Sequence, residues 1–279
     1  MSAPSGGAGD PGLYGPSSVT WRLHADPLLA VAGLRALVLQ ALHPLAMAGV
    51  DQHSRFRADP WGRLTTTAAF VTATTYGTTA EARALGDRVR RVHRTVRGSD
   101  PETGEPYAAG DDALLLWVHC CLVDSVVALG RRAGVLDAAD ADRYVAEQVA
   151  AARLVGVSHG LAPTSTADLA DVLAGYRPSL RVTPAARDAV ARVVVPPLPP
   201  VVALATPARP LWATLGATAV ATLPRWALRM YGLRRPPLAS PAATTALQVL
   251  RGGVAGVALL VPALREPPEL RAARERLAG

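Results

Sequence analysis

The chain has 279 residues, half of them hydrophobic and only 18% charged, which supplies a buried core and argues against disorder over most of its length. Ala, Val and Leu dominate while aromatics make up 5%, so helices are favoured and an all-β sandwich is disfavoured. All 29 basic residues are Arg, so the net charge of +7 comes without any lysine for Schiff-base or phosphate-loop chemistry; with no basic tract or motif beside it, no nucleic-acid partner is expected.

In chain order, residues 1–19 are rich in Gly, Pro and Ser and read as a flexible N-terminal tail. From Trp21 to about Val50 apolar residues recur every three or four positions, the pattern of a helix. Asp26-Pro27 supplies a start signal, Pro44 a kink or an end, and Gly49 a C-terminal stop. A polar link, Asp51–Pro60, leads to a helix from Pro60 to Tyr76, again opened by Asp-Pro. Thr78 or Thr79 caps the next helix, which runs to about Val96. Gly98 to Gly110 is a loop with a short hairpin around Thr103-Gly104.

Ala113–Leu129 is apolar on all sides and reads as a central buried helix, in which His119 and Asp124 must find partners. Asp137–Val155 and Thr166–Gly175 are further helices. The Pro-rich stretch 196–210 is a linker to a helical part, 211–264, and 265–279 is a charged helix or tail. The fold class is therefore all-α, with residues 20–264 as one helical domain. Leu211–Leu223 and Val254–Leu264 are apolar but short; they read as buried helices, the alternative being peripheral contact with a membrane. No run of ~18 apolar residues and no secretory signal is visible. Cys120 and Cys121 are adjacent and poorly placed to bridge each other, so a reducing, cytoplasmic compartment is expected.

No HExxH or CxxC occurs, which leaves single histidines on helices. His93 has apolar neighbours at −4, −1 and +3, and Arg90, Arg94 and Arg97 stand close by in sequence. An imidazole on an apolar face suits a haem iron, and arginines suit the two propionates. Spacing alone favours the plainer reading, a solvated basic face holding one histidine. Arg63 and Thr67 share a helix face, where a guanidinium and a hydroxyl act together on bound dioxygen or simply meet water. His43 and His53 line the same pocket or, as their positions favour, act as cap and loop anchor.

Several strings occur together: Leu39-Gln40-Ala41-Leu42-His43-Pro44, Val50-Asp51-Gln52-His53-Ser54-Arg55-Phe56, Asp59-Pro60-Trp61-Gly62-Arg63-Leu64-Thr65-Thr66-Thr67, Arg91-Val92-His93-Arg94-Thr95-Val96-Arg97-Gly98, Tyr107-Ala108-Ala109 and Leu115-Leu116-Trp117-Val118-His119. In this order the chain resembles the bacterial family related to the fungal MpaB oxygenase and the latex-clearing protein, over roughly residues 20–190. The resemblance implies a globin-like helical core around haem b, with additional C-terminal helices, and dioxygen-dependent cleavage of isoprenoid double bonds. It implies that His93 is the axial ligand and that Arg63 and Thr67 belong to the facing helix. Rubber-cleaving members carry a Lys just before that Thr; here the position is Thr66. The reading that follows is a haem b oxygenase acting with dioxygen on a small apolar molecule, isoprenoid-like or a secondary metabolite. Its rivals are a peroxidase-like or sensing haem protein and a non-catalytic helical interaction protein.

Overall fold

The computed structural model describes residues 9–54, 58–195, 208–234, 236–260 and 266–279. Most of the expected Pro-rich linker, and Arg55 and Phe56 of the sequence motifs, lie outside the described residues. The architecture is all-α: helices make up almost all of the regular structure, beside one small hairpin.

The single helix expected over Trp21–Val50 is three: α1 (Val19–His24), α2 (Leu28–Gln40) and α3 (Pro44–His53). The Asp26 carboxylate accepts from Leu28 N–H and so restarts the chain after α1. Pro44 occupies the first turn of α3, where its missing N–H costs nothing, and the axis turns by 105°. Gly49 does not stop α3. It lies inside the helix because the Tyr107 ring would come within 3.3 Å of any Cβ there.

Helix α4 (Pro60–Tyr76) begins at Asp59, whose carboxylate accepts from Gly62 N–H at 2.8 Å. Asp59→Ala is expected to cost about 1 kcal/mol, read by denaturant melting, because that first-turn donor loses its partner. Helix α5 (Thr79–Thr95) opens with a full capping box of Thr78 and Glu81. The following loop forms the hairpin, β1 (Arg97–Ser99) against β2 (Pro106–Ala108), antiparallel with Gly98 opposite Tyr107. Gln52 of α3 pins it: its amide donates to Ser99 O, and its carbonyl accepts from Tyr107 Oη.

Helix α6 (Asp112–Arg132) is long and apolar enough to cross a bilayer, yet most of it is buried inside the bundle. It packs lengthwise on α2, and together they hold the centre of the core, with Leu39, Leu42, Trp117, Val126 and Leu129 buried. Asp124 is half-buried and partners the buried Arg35 of α2, which donates to it at 2.7 Å, to Ser125 Oγ and to Thr222 O. Helices α7 (Ala138–Val155), α8 (Thr166–Tyr176) and α9 (Pro184–Val194) pack around this pair, α9 against α2 and α3. Beyond them lie α10 (Ala208–Ala221), the short α11 (Arg225–Met230), α12 (Ala239–Leu260) and α13 (Pro268–Ala278).

Residues 9–18, assigned above to a tail, are tied to the body. Asp10 accepts from Thr79 N–H and Oγ1, and Tyr14 is buried with Trp21, Tyr76, Leu270 and Ala273. The C-terminal segment forms α13, whose Arg276 donates to the carbonyls of Asp10 and Tyr76. The apolar positions of α13 were too few to reveal this packing among its arginines and glutamates.

Candidate functional site

Helices α2, α3, α4, α5, α6 and α9 and the hairpin enclose a chamber of about 350 Å³. Its wall is largely aliphatic: Leu37, Leu45, Met47, Val50, Leu64, Leu114, Leu115 and Val193. Val92 and Val118, on α5 and α6, also line it and remain 54% and 41% exposed. Large apolar side chains uncovered on facing helices mark surface that a sizeable apolar ligand would remove from water. A shallower polar hollow shares His53, Ser54, Arg63 and Thr67 with the chamber and adds Asp59, Gly62 and Thr66. The site is thus an oily chamber with a polar rim.

His93 is in the chamber wall. Burial, assisted by the nearby Arg63 guanidinium, holds its pKa below the ordinary imidazole value, so the ring is neutral at pH 7. Its Nδ1 is buried with no hydrogen-bond partner. An unpaired ring nitrogen is costly unless a ligand meets the imidazole. His43 Nδ1 is unpaired in the same way, but His43 packs against the rings of Trp117 and Tyr176 and does not line the chamber. His53 does line it, and its Nε2–H donates to Arg97 O at 3.0 Å, so it is both wall and loop anchor. His119 lies outside it.

Arg63 and Thr67 face the chamber, as their shared helix face predicts. Arg63 donates to Ser54 Oγ at 3.0 Å and pairs with no carboxylate among the described residues. The Thr67 hydroxyl donates to Arg63 O at 3.0 Å, so only its lone pairs are free toward the chamber. Thr65 and Thr66 donate back to the helix in the same manner, which explains how three threonines in a row sit inside α4. Thr66 reaches the rim without projecting a charge into it.

Arg90, Arg94 and Arg97 are not brought to the chamber. Three residues back along a helix still leaves about 60° of rotation. That offset turns Arg90 toward α7, where its guanidinium bonds Leu154 O while also pairing with Asp87 of its own helix. Arg94 is a quarter-turn away and exposed, and Arg97 lies beyond the end of α5, so helical spacing no longer applies to it. The wall's positive groups among the described residues are instead Arg63 and Arg192, the latter paired with Asp188, and no Asp or Glu among them lines the chamber. Arg192 and its neighbours Ala189 and Val193 carry no motif; only the packing of α9 on α2 and α3 puts them there.

These residues fit one face of a flat tetrapyrrole: a neutral imidazole in an apolar wall, and near the rim a guanidinium that pairs with no carboxylate among the described residues, although Asp59 lies in the same hollow. They also define a class: an enzyme pocket buried among helices, open on one side, with a single imidazole available for coordination.

The chain belongs to the family described as ER-bound oxygenase mpaB/B'/rubber oxygenase, catalytic domain, whose family model matches residues 21–259. It is therefore an oxygenase, an oxidoreductase that acts on a substrate with dioxygen. No curated protein and no solved structure matches the chain.

Proposed function

We propose that the chain is a haem b-dependent oxygenase in which His93 would hold the iron and the apolar chamber would take a small apolar molecule, isoprenoid-like or a secondary metabolite, with oxidative cleavage of a carbon–carbon double bond as the reaction. The observation that carries this reading is the neutral His93 in the wall of an apolar chamber that no Asp or Glu lines among the described residues. Haem, when bound, supplies the iron that activates dioxygen. The protein does the rest. Val92, Val118 and Leu115 exclude water and hold an apolar substrate by burial. Arg63, fixed by Ser54, offers a guanidinium to negative charge at the rim. Thr67 accepts a hydrogen bond but does not donate one into the chamber.

The cytoplasm is the proposed working compartment, supported by the free, buried thiols of Cys120 and Cys121. Haemin titrated into the purified protein is expected to give a saturable Soret band at one haem per chain. The loaded enzyme is then expected to consume dioxygen with a short isoprenoid alkene. A protein that stays colourless in excess haemin overturns the reading.

A further inference from the structure

Charge is distributed very unevenly along the sequence. Residues 189–265 contain eight arginines and no Asp or Glu. The 29 arginines less these eight match the 22 acidic residues to within one charge, so nearly all the net +7 belongs to this one stretch. Within it, Arg225 and Arg229 lie four apart on the outer face of α11, opposite buried Ala227 and Leu228. They and Arg234 are exposed and pair with no carboxylate among the described residues.

The same region exposes apolar rather than polar surface. Helices α10 and α12 pack against each other and both lie on α2, forming an outer layer of the bundle. Helix α10 buries Gly216, Ala219 and Leu223 just beyond its end, and turns Ala213, Thr214 and Ala217 outward beside exposed Leu211. Along α12, Ala243 and Leu247 are buried, while Pro241, Ala242, Thr245 and Val249 form an outward stripe continuing from Leu238. Leu238 is 77% and Val249 66% exposed. The only charged residue in the 22 residues of α12 is Arg251, and Asp26 neutralises it at 2.9 Å. A helix facing bulk water normally carries charge on its outer face. By contrast, α5 turns Arg83, Asp87 and Arg88 outward.

We infer that the α10–α12 face is a docking surface for an anionic lipid bilayer. Exposed leucine and valine enter the interface between headgroups and acyl chains, while Arg225, Arg229 and Arg234 meet lipid phosphates. Charge complementarity decides the occupant: unpaired arginines beside uncharged helix surface suit a leaflet that is both apolar and anionic. A second copy of this chain would bring the same arginines face to face. The surface adjoins the chamber, since Trp212 of α10 packs edge-on against Trp61 of α4 at 4.6 Å, two residues before Arg63 on the rim. The binding itself does not rest on the oxygenase reading.

The test is co-sedimentation of the full chain with vesicles of phosphatidylcholine alone or with about one third phosphatidylglycerol. Binding is expected to the anionic vesicles and to be released by 0.5 M salt (about 3–5 Å of screening length). Each arginine at an anionic surface contributes about fivefold to affinity. The variant R225A/R229A/R234A is therefore expected to bind about a hundredfold more weakly. L238D/V249D is expected to lose binding while R83A/R88A, a charge change elsewhere, retains it. No vesicle binding by the wild-type chain overturns the inference, and needs no variant to fold. So does vesicle binding that survives L238D/V249D, or an affinity for duplex DNA that exceeds the affinity for vesicles. A dimer that dissociates in L238D/V249D and never binds vesicles also overturns it, assigning the face to self-association.

Discussion

Replacing His93 by alanine is expected to abolish the Soret band and weaken haemin binding at least about a hundredfold, some 3 kcal/mol. The substitution removes the chamber's one unpaired imidazole, and no second histidine in the wall replaces it: His53 is engaged with Arg97 O. It should do so without unfolding the chain. His93 sits in the last turn of α5, where alanine keeps a good helix former, and its ring makes no hydrogen bond through Nδ1 that the fold would lose. His43→Ala is the informative comparison. That ring is buried against Trp117 and Tyr176, away from the chamber, so its loss should lower the melting temperature and leave the haem spectrum unchanged. Equal haem affinity in wild type and His93→Ala would remove His93 from the iron and leave only the apolar chamber.

What the sequence made legible follows from local rules. Asp-Pro starts, a cap at Thr78 or Thr79 and the apolar run around Trp117 placed α4, α5 and α6 because caps and periodicity act within a few residues. Pro44 was seen, but its consequence, a turn of 105° between α2 and α3, depends on what α3 packs against. Gly49 read as a stop because a lone glycine near a helix end usually is one. Only the Tyr107 ring, 58 residues away in the chain, shows that it is a point of close approach.

At the site, Arg63, Thr67 and His93 were identifiable from their strings of residues and do converge. The arginines beside His93 lie away from the chamber for a geometric reason: closeness in sequence on a helix does not fix direction, and Arg90 bonds Leu154 O of α7 and Asp87 of its own helix. Gln40 and Val118 stand in the sequence motifs without an assigned role, and Arg192 is not legible at all, because α9 enters the wall through packing on helices far away in the chain.

Stability should fall steeply as pH drops from 6.5 toward 4. Burial holds His24, His43 and His119 down to about 4, against 6.5 in the unfolded chain. Above pH 6.5 both states hold these rings neutral and nothing is lost. Below it the unfolded chain takes up protons that the folded one refuses, so stability decreases until the folded rings titrate as well. The cost is about 1.4 kcal/mol per pH unit per ring, or about 3 kcal/mol for one fully buried histidine across the interval. His119 keeps part of its surface in contact with solvent and contributes less. For a domain stable by about 5–15 kcal/mol, the sum is enough to unfold it in this range.

His24 shows why folding rejects the proton. Thr75 Oγ1 spends its own proton on Val71 O, so it accepts from His24 Nδ1–H at 2.7 Å. Nε2 is left as the acceptor of the Tyr144 hydroxyl at 3.0 Å. A second ring proton would meet that O–H head-on inside a dry pocket between α1, α4 and α7. The lowered carboxylates, Asp10, Asp112, Asp142 and Asp168, act in the same sense but only below about pH 4, where they begin to protonate. Melting temperature measured from pH 7.5 to 4.5 should therefore drop well before carboxylates titrate. In His24→Gln it should start lower, since the ring's packing and hydrogen bonds are gone, and then decline more gently. A flat profile between pH 7 and 5 in the wild-type chain would mean that these rings are already open to water.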